Sequence, residues 1–305
     1  MRSSLQSLIL SACARSWRLY QRADISVRLP CGQREVTIPI FHGCGLQLLK
    51  FRDERIQRVI RVLFNQGRRG HFIDIGANQG AMLLNLLESA PSVPYLAFEP
   101  AMLAAFYLSE IIRRNELTDH CVIPVALGST QTVSNFYSNG PADVSATISL
   151  QLRPAQMYRQ KRLVAAARGD EMLKAIDQIF LVKIDVEGSE LDTLQGMDQV
   201  LSAKRPPVYF EVMGYYHLLN RTFGTDYFGE LSDEEVERLV ANRRDNMRVL
   251  FDFFKDREYR IAYCWQKGVD PVDSLDLGPE RDAGEMNFLA LPADDFAQLL
   301  TKNAE

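Results

Sequence analysis

His71-Phe72-Ile73-Asp74-Ile75-Gly76-Ala77-Asn78-Gln79-Gly80-Ala81-Met82-Leu83-Leu84 is the stretch that decides the fold. Its first five residues are mostly apolar and short in extent, the pattern of a strand buried on both faces. Gly76 and Gly80 punctuate a turn, and helical periodicity follows over 81–89. Downstream the alternation repeats. A strand over 95–98 ends at Glu99-Pro100, a helix covers 101–115, and a third strand runs over 121–126. Residues 127–178 are the least regular. Small and polar residues dominate 128–147, Gly140-Pro141 marks a turn, and a strand at 162–167 and a short helix at 169–176 close the segment. Regular order returns with a buried strand over 179–185 and a helix opening at Ser189, where Ser189 with Asp192 resembles a cap. A strand over 207–212 follows, then a helix opened by the capping box Ser232…Glu235, then strands near 259–265 and 286–291. Upstream lie a short edge strand at 36–40, with Pro39 near its end, and an amphipathic helix through Ile56, Val59, Ile60, Leu63 and Phe64 that stops at Gly67.

Strands alternating with helices at this spacing make an α/β protein with a mostly parallel sheet and helices on both faces. The last two strands have no helix between them, so one runs antiparallel. The division expected is an N-terminal extension over 1–66, packed on a ligand-binding domain over 67–305. A chain of 305 residues, 47% of them hydrophobic, is long enough to bury a substantial core. The formal net charge of −4 gives no positive field to hold a polyanion, so nucleic acid is excluded as a partner class. The five cysteines are odd in number and never form a C-x-x-C pair, which fits a reducing, cytoplasmic setting rather than a disulfide framework or zinc knuckle. No apolar run reaches the length of a membrane span. Residues 1–22 place Leu5, Leu8, Ile9, Ala12, Leu19 and Tyr20 on one helical face beside Arg15, Arg18 and Arg22. That segment reads as a helix packed on the domain, as a peripheral membrane contact, or as a signal peptide with too short an apolar core.

Three clusters carry chemistry. Glycines in Asp74-x-Gly76-x-Asn78-x-Gly80 let the backbone approach a ligand at the carboxyl end of a strand. The acid in that loop disfavours phosphate, and the G-x-G-x-x-G of a dinucleotide fold is missing. Glu99, ending the next strand, suits the two hydroxyls of a ribose. Asp185 and Glu187, in Lys183-Ile184-Asp185-Val186-Glu187-Gly188, and Glu211 at the end of the following strand gather at the same edge of the sheet. Such acids serve as a general base, hold a cationic group or bind a divalent metal. His217 is a further candidate base. Tyr215, Tyr216, Phe223, Tyr227 and Phe228 form an aromatic segment suited to a lid or to simple packing, with Ser145 and Thr147 as polar contacts on the opposite wall.

Phe72-Ile73-Asp74-Ile75-Gly76-Ala77-Asn78-Gln79-Gly80, Ala97-Phe98-Glu99-Pro100, Pro124-Val125-Ala126-Leu127-Gly128 and Lys183-Ile184-Asp185-Val186-Glu187-Gly188 occur in that order. Together they resemble the FkbM family of S-adenosylmethionine-dependent methyltransferases over about residues 70–212. The resemblance implies a class I methyltransferase fold, with a seven-stranded sheet and one antiparallel strand, and methyl transfer to oxygen. It implies that Asp74, Gly76, Ala77, Asn78 and Gly80 line the methionine side of the cofactor. Glu99 and Pro100 would flank the ribose, Ala126 and Leu127 would lie near the adenine, and Asp185 would lie near the reacting end. The acceptor implied is a hydroxyl of a sugar, glycan or related metabolite. Metal-free chemistry is expected, with a divalent metal on Asp185, Glu187 and Glu211 as a variant. The competing readings are a non-catalytic cofactor-binding scaffold and a nucleotide-dependent oxidoreductase.

Overall fold

A computed structural model describes residues 25–296, except 42, 141–142, 221–230, 267, 280 and 282–284, and except the side chains of His217, Asn220 and Glu285. The segment 1–22, Phe223, Tyr227, Phe228 and the His217 side chain therefore lie outside the described part.

The chain opens with a hairpin, β1 (Ile25–Cys31) against β2 (Arg34–Ile40), then a 3-10 turn over Gln47–Lys50 and α1 (Glu54–Asn65). Asp53 caps α1 by accepting the Arg55 N–H at 2.9 Å. The repeating core then runs through β3 (His71–Ile75), α2 (Ala81–Ser89), β4 (Tyr95–Phe98), α3 (Met102–Arg114) and β5 (His120–Ile123). Next come three strands that leave the main sheet, β6 (Ala126–Gly128), β7 (Thr132–Ser138) and β8 (Gln160–Arg168), followed by α4 (Gly169–Met172). The second half holds β9 (Ile179–Ile184), α5 (Glu190–Gln195), α6 (Asp198–Lys204), β10 (Val208–Met213), α7 (Tyr216–Asn220), α8 (Asp233–Lys255), β11 (Tyr259–Trp265), β12 (Gly268–Val272) and β13 (Glu285–Pro292).

The main sheet has eight strands in the order β12-β11-β13-β10-β9-β3-β4-β5. From β10 through β9, β3 and β4 to β5 every neighbouring pair is parallel, while β13 pairs antiparallel with both β10 and β11. The expected seven strands become eight because β12 adds an edge to β11. The order reverses at β3, between β9 and β4. A ligand crevice opens at such a switch point, beyond the carboxyl ends of the strands. Strand β9 is buried at every position, which explains why it reads as an unbroken apolar run interrupted only by Lys183.

Three expectations change. The strand expected over 121–126 splits at Pro124, which has no N–H for the ladder; β5 ends at Ile123, and β6 departs to pair in parallel with β8. Within the segment expected to be irregular, β7 pairs antiparallel with β8 from Thr132↔Ala166 to Ser138↔Gln160. Ser189 does not cap α5: its hydroxyl is buried without a partner, and Glu190 instead accepts the Gly188 N–H at 2.9 Å. The capping box at Ser232 and Glu235 is present.

The described part of the N-terminal extension shares a core with the main sheet. Val36, Ile38, Leu48, Ile56, Ile60 and Leu63 pack in one buried cluster with Phe72, Leu83 and Tyr107. The Asn115 side chain clips β2 in place, accepting the Thr37 N–H at 2.7 Å and donating to the Thr37 carbonyl at 2.9 Å. Among the described residues no helix is long and apolar enough to cross a membrane.

Candidate functional site

At the switch point the chain encloses a cavity of about 290 Å³. One wall is the turn after β3. Gly76 and Gly80 have φ of 79° and 94°, and Asn78 joins them in the left-handed region at 45°. A Cβ on Gly76 would lie 1.8 Å from the Asp185 carbonyl oxygen, so only glycine lets the turn pass under the β9–α5 loop. The Gly76 and Ala77 N–H groups donate to the Phe98 carbonyl, tying the turn to the end of β4.

Glu99 follows directly. Its carboxylate accepts the Asn78 N–H at 2.8 Å and the Ala101 N–H at 2.7 Å. One oxygen braces the glycine turn and the other the start of α3, and each keeps a free lone pair. Burial pushes the Glu99 carboxyl up to about 7, against the two amide N–H groups, which favour the ionised form.

Beneath the turn lies a buried charge cluster. Asp74 and Lys183 are register partners on β3 and β9. Lys183 Nζ stands 3.1 Å from Asp74, 3.3 Å from Asp185, and donates to the Gly76 carbonyl at 2.8 Å. The Tyr95 hydroxyl donates to the other Asp74 oxygen at 2.5 Å. Burial alone would lower the Lys183 pKa, but Asp185 and Asp74 outweigh it and hold the ammonium well above its ordinary value. Lys183 thus sits between two acids under one turn. The sequence signal for it is a lone charge within the apolar run Ile-Phe-Leu-Val-Lys-Ile, since such a charge needs a buried partner.

Of the anticipated cofactor residues, Gly76, Ala77, Asn78, Glu99, Pro100, Ala126, Leu127 and Asp185 line the cavity. Asp74 and Gly80 do not. Asp74 is fully buried beneath the wall, because alternation along β3 turns its side chain toward Tyr95 and Lys183. Gly80 sits at the start of α2, where a Cβ would meet Leu108. Among the acids, Asp185 reaches the wall with its side chain 34% exposed. Glu187 also lines the cavity, with φ 57° and its carboxylate in an ion pair with Arg153. Glu211 lies inside β10, which continues to Met213, and is not part of the lining. The three acids do not converge on a metal position, and among the described residues no group of three or more His, Cys, Asp or Glu side chains does. Tyr215 is packed away, stacked on Tyr216 with its hydroxyl donating to Asp276 at 2.7 Å.

The opposite wall comes from Phe136 and the segment around Asp143–Ile148. Thr147 lines the cavity. Ser145 does not; its hydroxyl donates to Asp143, whose carboxylate also accepts the N–H groups of Asn139 and Ser145. A third wall, which sequence reasoning missed, is the N-terminal segment Gln47, Leu48, Lys50 and Phe51.

Three features together define the class. The parallel strands carry an antiparallel β13 between β10 and β11. A glycine turn sits at the switch point, and a strand-end acid is bonded to that turn. This is the Rossmann-like architecture of class I methyltransferases. The chain belongs to the FkbM methyltransferase family: the Methyltransferase FkbM domain matches residues 74–260. Among solved structures, a methyltransferase FkbM from Methylobacillus flagellatus KT is 17% identical at a TM-score of 0.43, covering 73% of this chain; the chain spans 43% of that protein's length. The plantazolicin methyltransferase BpumL, in complex with a triazolic desmethylPZN analog and SAH, is 12% identical at a TM-score of 0.42, with 82% and 86% of the two chains covered. An O-methyltransferase from Bacillus cereus in complex with SAH is 11% identical at 0.38, covering 78% and 79%. No curated protein matches the chain.

Proposed function

We propose that this chain is an S-adenosylmethionine-dependent O-methyltransferase whose acceptor is a hydroxyl of a sugar, glycan or related metabolite. The observation that carries the reading is Glu99: a buried carboxylate bonded to the glycine turn, facing the cavity with lone pairs free for a ribose diol. The residues present fit that cofactor. Gly76, Ala77 and Asn78 offer backbone at close approach, Ala126 and Leu127 offer an apolar slot, and Asn78 Oδ1 and Ser189 Oγ are buried without partners. When bound, the cofactor supplies an electrophilic methyl group. The chain's own work is to align the acceptor oxygen and take up its proton. Asp185 is the acid positioned for that step, because it reaches the cavity wall while Lys183 fixes its carboxylate from behind. Glu187, held by Arg153, shapes the acceptor end. Glu211 and His217 remain lesser candidates for the base. Segment 1–22 is proposed as a peripheral membrane contact, which liposome binding by the full chain and by a chain lacking 1–22 tests.

Calorimetry with S-adenosylmethionine tests the cofactor assignment. Wild type should bind, and Glu99→Ala should weaken binding at least tenfold, the loss of two hydrogen bonds to a charged group. A screen with labelled methyl over sugar and glycan hydroxyls then tests the acceptor class. A folded wild type that binds no cofactor ends the proposal, and binding without turnover on any acceptor turns it toward a cofactor-binding scaffold.

A further inference from the structure

Six charged side chains line the cavity, and five are already engaged. Lys183 pairs with Asp185, Glu187 with Arg153, Glu99 with two backbone amides, and Asp143 with its own turn. The sixth, Lys50, has no ion pair or hydrogen bond among the described residues. It is exposed at the end of the 3-10 turn Gln47–Lys50.

Gln79 provides a second, independent sign. It is 1% exposed and lines the same cavity. Its Oε1 accepts the Gly45 N–H at 2.8 Å, which fixes the amide orientation and ties the glycine turn to the segment carrying Lys50. Its Nε2 has no partner, and a buried donor left unpaired costs free energy unless a ligand satisfies it. Gln79 also immediately precedes the N-terminus of α2, whose first turn carries no acid, so the helix dipole there is left for a ligand.

We infer that Lys50 and Gln79 form a carboxylate-binding corner, in which Gln79 Nε2 and the Lys50 ammonium hold an anionic group of the bound molecules. The inference rests on the methyltransferase reading above and deepens it, because Lys50 lies outside the matched residues 74–260. A carboxylate has two sources at this site, the amino-acid end of the cofactor or an acidic sugar as acceptor. A neutral oxygen would satisfy the buried amide but leave the ammonium without a counter-charge.

Calorimetry on the full chain decides it, with S-adenosylmethionine, decarboxylated S-adenosylmethionine, glucuronate and glucose as probes. Wild type is compared with Lys50→Gln, Lys50→Glu and Gln79→Glu; the last keeps an acceptor for Gly45 and replaces the donor with negative charge. Lys50 is exposed, so its variants fold. A loss of about tenfold or more in S-adenosylmethionine affinity in Lys50→Glu, with the decarboxylated compound unaffected, assigns the corner to the cofactor carboxylate. Unchanged cofactor affinity, with wild type holding glucuronate about tenfold more tightly than glucose and Lys50→Glu abolishing that preference, assigns it to an acidic acceptor. If the variants move neither quantity, the corner is overturned. A wild type that binds no S-adenosylmethionine ends the functional reading instead, and the glucuronate and glucose comparison on that same chain still decides the corner.

Discussion

The two facing walls of the cavity are built by different means. The wall made by Gly76–Asn78 and Glu99 is backbone, supplied by one continuous strand–turn–helix and the end of the adjacent strand. Its shape follows from left-handed dihedrals and a buried charge cluster beneath it. The wall made by Phe136 and Asp143–Ile148 is tied to β7 by one backbone bridge, in which Tyr137 and Thr147 each donate an N–H to the other's carbonyl, and is otherwise held by side chains. The Tyr158 hydroxyl donates to the Ser145 carbonyl at 2.9 Å, and Arg243 on α8 donates to the Leu152 carbonyl. The first wall has a single solution set by local sterics. The second joins one backbone bridge to a set of side-chain clips, each replaceable.

The largest expected effect falls on the first wall. Gly76→Val forces a branched side chain into a left-handed position where a Cβ would lie 1.8 Å from the Asp185 carbonyl oxygen. The expected outcome is loss of more than about 3 kcal/mol, or no folded protein, read by thermal denaturation and soluble yield. Next is Lys183→Met, which leaves the fully buried Asp74 without its counter-charge. A loss of about 3–5 kcal/mol is expected from the denaturant midpoint. A change below about 1 kcal/mol would break the claim that the charge cluster supports this wall.

The same contrast explains what was legible in the sequence. The strand over 71–75, its glycine turn, Glu99 at a strand end and the acids after β9 were readable because hydrophobic periodicity and glycine placement are local signals. Strand β7 was not, because Thr132-Val133-Ser134-Asn135 carries few apolar residues and is ordered by pairing with β8, some 30 residues away in the chain. The Gln47–Phe51 wall was missed for a similar reason: its place in the cavity depends on Gln79 reaching back to Gly45. Glu211 stands back from the cavity edge because β10 runs two residues past it, one further than the expected strand over 207–212.

A smaller effect is read through pH, from one acid in the first wall and one buried outside both walls. Glu99 and Glu190 both titrate near 7 in the fold, raised first by burial from an ordinary 4.5. Between 4.5 and 7 the folded chain keeps protons that the unfolded chain has released. The stability these groups contribute is therefore complete below about 4.5 and is lost as pH rises to 7, at up to about 1.4 kcal/mol per pH unit for each. Urea midpoints from pH 5 to 8 should fall in wild type and fall less steeply in Glu190→Gln, which keeps the acceptor for Gly188. An unaltered slope in the variant would remove burial of Glu190 as the cause.

The smallest effect belongs to the second wall and completes the contrast between glycines. Gly140 lies just ahead of the cavity-lining segment, with a φ outside the left-handed region, and a Cβ there meets no heavy atom within 4 Å. Neither reason that makes glycine obligatory at Gly76 holds here. Gly140→Ala should change stability by no more than about 0.5 kcal/mol. A larger destabilisation, read in the same thermal assay as Gly76→Val, would mean that the second wall is as tightly specified by its backbone as the first. The distinction between a wall set by local sterics and a wall held mainly by clips would then fail at its most permissive position.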